Sequence, residues 1–83
     1  MFRLKLVEQL SRLIAKVLKI DPEIVGPETG PLNLSQWDSF HHVHIVVEIE
    51  KFYQVQLTLE ELSSILSVND IAGILRQKGV QMH

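Results

Sequence analysis

All three prolines of this chain, Pro22, Pro27 and Pro31, fall between residues 19 and 37, together with two of its four glycines, Gly26 and Gly30. Proline has a fixed φ and no amide hydrogen to donate, so this stretch reads as neither a regular helix nor a central strand, and no hydrophobic period runs through it. The segments on either side do carry a period, and it is that of a helix. A loop of this length is uncommon in a compact domain unless it is functional. Its apolar residues, Ile20, Ile24, Val25, Leu32, Leu34 and Trp37, are expected to pack it across the helices. It therefore reads as an ordered connection in which Gly and Pro form turns.

In residues 3–18, Leu6, Leu10, Leu13, Ile14 and Val17 share one arc of a helical wheel, while Lys5, Arg12, Lys16 and Lys19 lie opposite. A basic amphipathic start also fits a transit peptide or a membrane-surface element. Nothing resembles a cleavage site, however, and the remaining helices need this apolar face, so the basic stripe reads as solvated. A second helix is expected to start at Asp38 or Ser39 and to run to about Gln54. Ile45, Val46, Ile49, Phe52 and Tyr53 make its core arc, and Phe40, Val43 and Val47 make a second arc well apart from the first. Either the helix is central and widely buried, or the second arc is an exposed apolar strip for a partner protein. Thr58-Leu-Glu-Glu61 and Ser67-Val-Asn-Asp70 have the form of capping boxes and place helix starts near Leu59 and Val68. The last helix turns Val68, Ile71, Ala72 and Leu75 to one side and stops at Gly79. The predicted fold is all-α, a four-helix bundle with a long first loop and a short third helix, in one domain over residues 1–83.

Composition removes several classes of function. The longest apolar runs span only a few residues, so no membrane span is expected. Without cysteine there is no disulfide framework, zinc–thiolate site or thiol nucleophile, and a cytoplasmic setting fits best. Residues 1–20 carry five bases against Glu8 alone, whereas residues 21–70 carry nine acids against Lys51. An acidic middle repels nucleic-acid backbones and favours basic partners, which argues against a nucleic-acid role.

Asp38-Ser39-Phe40 with His41, His42 and His44 is the one dense cluster of reactive side chains. As a hydrolase, Ser39 would attack, His42 would take its proton and Asp38 would orient the histidine, but a chain this small has little material for an oxyanion hole and a cleft. As a metal site, His41, His44 and Glu48 share a helix face at i, i+3 and i+7, without a fourth ligand or supporting groups from elsewhere. In a third reading Ser39 is a hydroxyl at a helix start that another enzyme modifies, weighed against a plain N-cap serine.

Leu34-Ser-Gln-Trp-Asp-Ser-Phe40, then Val43, Ile45 and Val46, then Ile49-Glu50-x-x-Tyr53-x-Val55-x-Leu57 and Ser67-Val-Asn-Asp-Ile71, resembles the acyl carrier protein family over nearly the whole chain. The resemblance implies that Ser39 carries a 4′-phosphopantetheine arm, added from coenzyme A by a magnesium-dependent phosphopantetheinyl transferase. Acyl or aminoacyl groups would ride on the arm's thiol, so the missing cysteine is no obstacle, and the protein would be a carrier rather than an enzyme. Asp38 matches the family's acid before the modified serine and would be recognised by the transferase, holding its metal; no resident metal is implied. Phe40, Val43 and Val47 fall where the family places its partner contacts. The implied partners are the transferase and the loading and tailoring enzymes of a pathway, visited by a monomer.

The sequence also departs from the family. His41, His44 and Lys51 stand where recognition helices are often acidic, leaving Glu48 and Glu50, so steering toward a generic fatty-acid synthase partner is expected to be weak. Trp37 replaces the small residues that often precede the Asp-Ser pair. Both departures suggest a free-standing carrier dedicated to a specialised pathway such as polyketide, nonribosomal peptide or modified-sugar assembly. Because free histidine side chains titrate near about pH 6.5, affinity for the cognate enzyme is expected to change between roughly pH 6 and 8, which binding measurements across that range would check. An unmodified helical interaction module and a weak histidine-based metal binder are the alternatives.

Overall fold

The computed structural model describes residues 3–80, with side chains from residue 6 onward. Among the described residues there are four helices and no strand: α1 (Arg3–Leu18), α2 (Ser39–Tyr53), α3 (Leu59–Ser64) and α4 (Val68–Gln77). A single 3₁₀ turn, Pro22–Ile24, interrupts the long loop. Local chemistry sets each later start. The Asp38 carboxylate accepts the His41 amide at 2.9 Å and so caps α2. Thr58 and Glu61 form a complete capping box, with each side chain accepting the other's amide. The second box is only half formed: Ser67 Oγ accepts the Asp70 amide, but the Asp70 carboxylate takes the amide of Leu66, which faces it because Ser67 is fully extended.

Helix ends are less regular than the starts. Lys19 (φ 59°) and Gln54 (φ 56°) close α1 and α2 in the left-handed region that glycine usually supplies, whereas α4 is followed, as expected, by a left-handed Gly79 (φ 93°). The loop is pinned to the last helix, because the Val68 and Asn69 amides at the start of α4 donate to the carbonyls of Thr29 and Pro27, both at 2.9 Å. Two otherwise orphan donors of α4 are thereby satisfied by the loop.

α1 packs against α2, α4 and the 3₁₀ turn. Leu10, Ile14, Ile45, Ile49, Ile71 and Leu75 are completely enclosed, and Trp37 and Val25 bring the loop into the same core. Arg12, Lys16 and Lys19 are exposed as a solvated stripe, and the side chain of Lys5 lies outside the described residues. Three expected core residues are not buried. Phe52 is 56% exposed and meets Tyr53 edge to face, and Ile24 (54%) and Leu32 (82%) stand out of the loop. A helical period gives direction, not whether a neighbouring element extends far enough to cover the residue.

Tyr53, the sole tyrosine, anchors α2 to α1 by donating from its phenol to Gln9 Oε1 at 2.7 Å. Burial pushes its phenol from the ordinary 10.0 up to about 12. The fold favours the neutral phenol, so this contribution to stability is full below the ordinary value and is lost as pH rises through the folded one. Phenolate absorbance is accordingly expected to rise only as the folded protein nears pH 12, with α1–α2 contacts loosening alongside. A midpoint at the ordinary value would show that the ring is solvated.

Candidate functional site

The start of α2 carries the predicted attachment residues. Asp38 is the N-cap, Ser39 the first helical residue, and both are exposed. No described side chain or backbone group bonds the Ser39 hydroxyl, which stands open at the positive end of a 15-residue helix. The bulky neighbour does not cover it: Trp37 is 1% exposed and points into the core.

Asp38 Oδ1 is held twice by His41, from its amide and from ring Nδ1 at 2.8 Å. The amide bond first, and the ring second, keep the Asp38 carboxyl below its ordinary range. A lowered carboxylate stabilises the fold above its ordinary pKa and loses that contribution as pH falls past the folded value, so the cap is intact throughout the neutral range.

No hydrolase constellation forms. Asp38 engages His41 rather than His42, and both nitrogens of His42 are committed elsewhere: Nδ1 accepts from Trp37 Nε1 at 2.9 Å and Nε2 lies 2.9 Å from the Leu62 carbonyl. The metal reading fails similarly, since His41 turns to Asp38 while His44 lies 3.8 Å from Glu48. Among the described residues no group of three histidines or acids could hold a metal ion.

The second arc of α2 is an exposed apolar strip: Phe40 is 75%, Val43 52% and Val47 39% exposed. Its acids are occupied within the chain. Glu48 stands 3.8 Å from both Lys51 and His44, and Glu50 turns away to accept the Leu57 amide at 2.9 Å. Beside Ser39 a cleft of about 350 Å³ runs between α2 and α3, lined by Pro31, Asp38, His42, Val43, Leu62, Ser63, Ile65 and Leu66. Sequence reasoning missed Leu62 and Leu66; the only signal was an apolar residue at the position before the Ser67 cap. A larger cavity, about 570 Å³, lies between α1 and the loop around Ser11, Val25 and Pro27 and includes none of the predicted site residues.

A family model described as phosphopantetheine attachment site matches residues 8–75, most of the chain. The acyl carrier protein of Syntrophobacter fumaroxidans is 33% identical over 63 residues, covering 76% of this chain and 78% of that one. The chain belongs to the acyl carrier protein family. The acyl carrier protein of Thermosynechococcus vestitus is 26% identical over 74 residues, covering 89% of this chain and 91% of that protein. The solution structure of a holo acyl carrier protein from Geobacter metallireducens superposes with a TM-score of 0.78 at 26% identity, covering 88% of this chain and 84% of that one. As an acyl carrier protein the chain is a carrier, not an enzyme, and its cofactor is covalently attached 4′-phosphopantetheine. No helix among the described residues is long and apolar enough to cross a membrane.

Proposed function

We propose that Ser39 is the residue to which the 4′-phosphopantetheine arm is attached, and that the carrier serves one dedicated pathway through the strip Phe40, Val43 and Val47. The observation that carries this reading is the open Ser39 hydroxyl beside the Asp38 carboxylate at the start of α2. The residues fit the group: a phosphate ester on Ser39 would sit at a helix N-terminus, where the dipole favours negative charge. The Asp38 carboxylate has one oxygen engaged by His41, which leaves Oδ2 for a transferase and its magnesium. When bound, the arm supplies a thiol for thioester cargo; this chain presents the attachment point and the docking surface.

The charge pattern supports a dedicated partner over a generic one. With Glu48 3.8 Å from the Lys51 ammonium and Glu50 bound to the Leu57 amide, α2 offers little free negative charge to steer basic enzymes. Exposed ion pairs are weak, so Glu48 adds little stability, but its neutralisation removes it from long-range attraction. His41, His44 and Lys51 edge the apolar strip and point to a partner surface that is not strongly basic. Intact mass before and after incubation with coenzyme A and a promiscuous phosphopantetheinyl transferase tests the attachment. A carrier gains the mass of one arm. An unmodified interaction module stays unchanged.

A further inference from the structure

The bond from Trp37 Nε1–H to His42 Nδ1 leaves that nitrogen without a hydrogen, so Nε2 carries it and donates to the Leu62 carbonyl. One imidazole thus links three parts of the chain: the buried end of the long loop, the first turn of α2, and α3. His42 also lines the cleft beside Ser39, whose apolar walls are Val43, Leu62, Ile65 and Leu66. We propose that His42 is a specificity-determining residue, a clasp that holds α3 against α2 and closes this cleft to long apolar cargo, so that acyl groups on the arm stay outside the bundle.

Deepening the cleft requires α3 to move away from α2, which breaks the bond to the Leu62 carbonyl. Tilting the imidazole instead strands the indole N–H of Trp37, which is almost wholly buried and has His42 as its hydrogen-bond partner. Buried donors are seldom left unpaired, so either route is opposed. α3 is only six residues long and cannot hold its place by helix propensity; its box at Thr58, the Lys78–Glu61 ion pair at 3.0 Å and the His42 bond fix it. With the clasp shut, the cleft of about 350 Å³ is open on its outer side and offers a long alkyl chain no enclosed path into the core.

This inference rests on the carrier reading, and one experiment separates the two. The full chain, His42→Ala and His42→Gln are each loaded from butyryl- and dodecanoyl-coenzyme A with a promiscuous transferase. Intact mass verifies loading, and thioester cleavage by hydroxylamine is then timed. The original chain is expected to lose both groups at the same rate, because neither is sheltered. His42→Ala is expected to protect dodecanoyl by about tenfold relative to butyryl, and His42→Gln, which can still accept and donate, to behave like the original. Equal loading with slower dodecanoyl cleavage in the original chain, or no protection in folded His42→Ala, overturns the clasp and leaves the carrier intact. Absence of any loading overturns both. Should His42→Ala not fold, imidazole ¹⁵N shifts of the original chain decide: a hydrogen on Nδ1 of His42 refutes the clasp, and one on Nε2 supports it.

Discussion

Replacing Ser39 with alanine is expected to abolish the gain of the phosphopantetheine mass completely, while the thermal midpoint moves by no more than about 4 °C. The two halves of this result have separate causes. Alanine has no oxygen with which to form the phosphate ester, so the loss is all or none. The fold is spared because Ser39 is exposed, its hydroxyl has no partner among the described residues, and the cap of α2 is supplied by Asp38 rather than by Ser39. Alanine is also a good helix former in the first turn. Asp38→Asn completes the comparison: an amide oxygen still caps the His41 amide, but the negative charge offered to the transferase is gone. Modification is expected to slow about tenfold or more without unfolding. Undiminished mass gain in Ser39→Ala would move the attachment to another hydroxyl, such as Ser63 on the far wall of the same cleft.

The parts of the structure that were legible in the sequence are those decided within a turn or two of the chain. Asp38, Thr58 and Ser67 cap three helices from their own side chains, and each start was readable. The two arcs of α2 were readable too, because direction around a helix follows from spacing. The first arc was readable as the core one, but how far along it the cover extends, and whether the second arc is covered at all, was not. Phe52 points with Ile45 and Ile49 yet stays exposed, since the wheel says nothing of where the neighbouring helix ends. The loop shows the same limit: Val25 and Trp37 are core while Ile24 and Leu32 are solvated, although all four are apolar. His42 was readable as one histidine of a cluster, but its two partners are five residues back and twenty residues ahead. Only the placement of α3 brings them together. The acids of α2 were readable as charges, yet Glu50 is spent on the Leu57 amide, a contact that depends on how the chain leaves the helix.

Gly30→Ala is expected to be the most disruptive single-methyl change in the loop, destabilising by roughly 3 kcal/mol or more. The sequence suggests a turn former, but the constraint is a close approach. A Cβ on Gly30 would stand 1.8 Å from the Leu66 carbonyl oxygen, 2.6 Å from its carbon and 3.1 Å from Ser67 Cα. All three are backbone atoms, so no side chain can rotate away and the loop must lift off the segment before α4. Lifting it pulls on the bonds from Val68 and Asn69 to Thr29 and Pro27, which satisfy the start of α4. It also displaces Leu66, one wall of the cleft beside Ser39. A domain of this size has about 4–12 kcal/mol of stability to lose, so the midpoint should fall by about 12 °C or more. Two other glycines calibrate the result. Gly26→Ala meets only Thr29 Oγ1, at 3.9 Å, and should be nearly neutral. Gly73 lies inside α4 with open space around it, so alanine there should stabilise by up to about 1 kcal/mol through helix propensity. Thermal and urea unfolding of the three variants must therefore rank Gly30→Ala far below the original chain and Gly73→Ala above it. A Gly30→Ala protein as stable as the original would mean that the loop and the start of α4 do not touch as described.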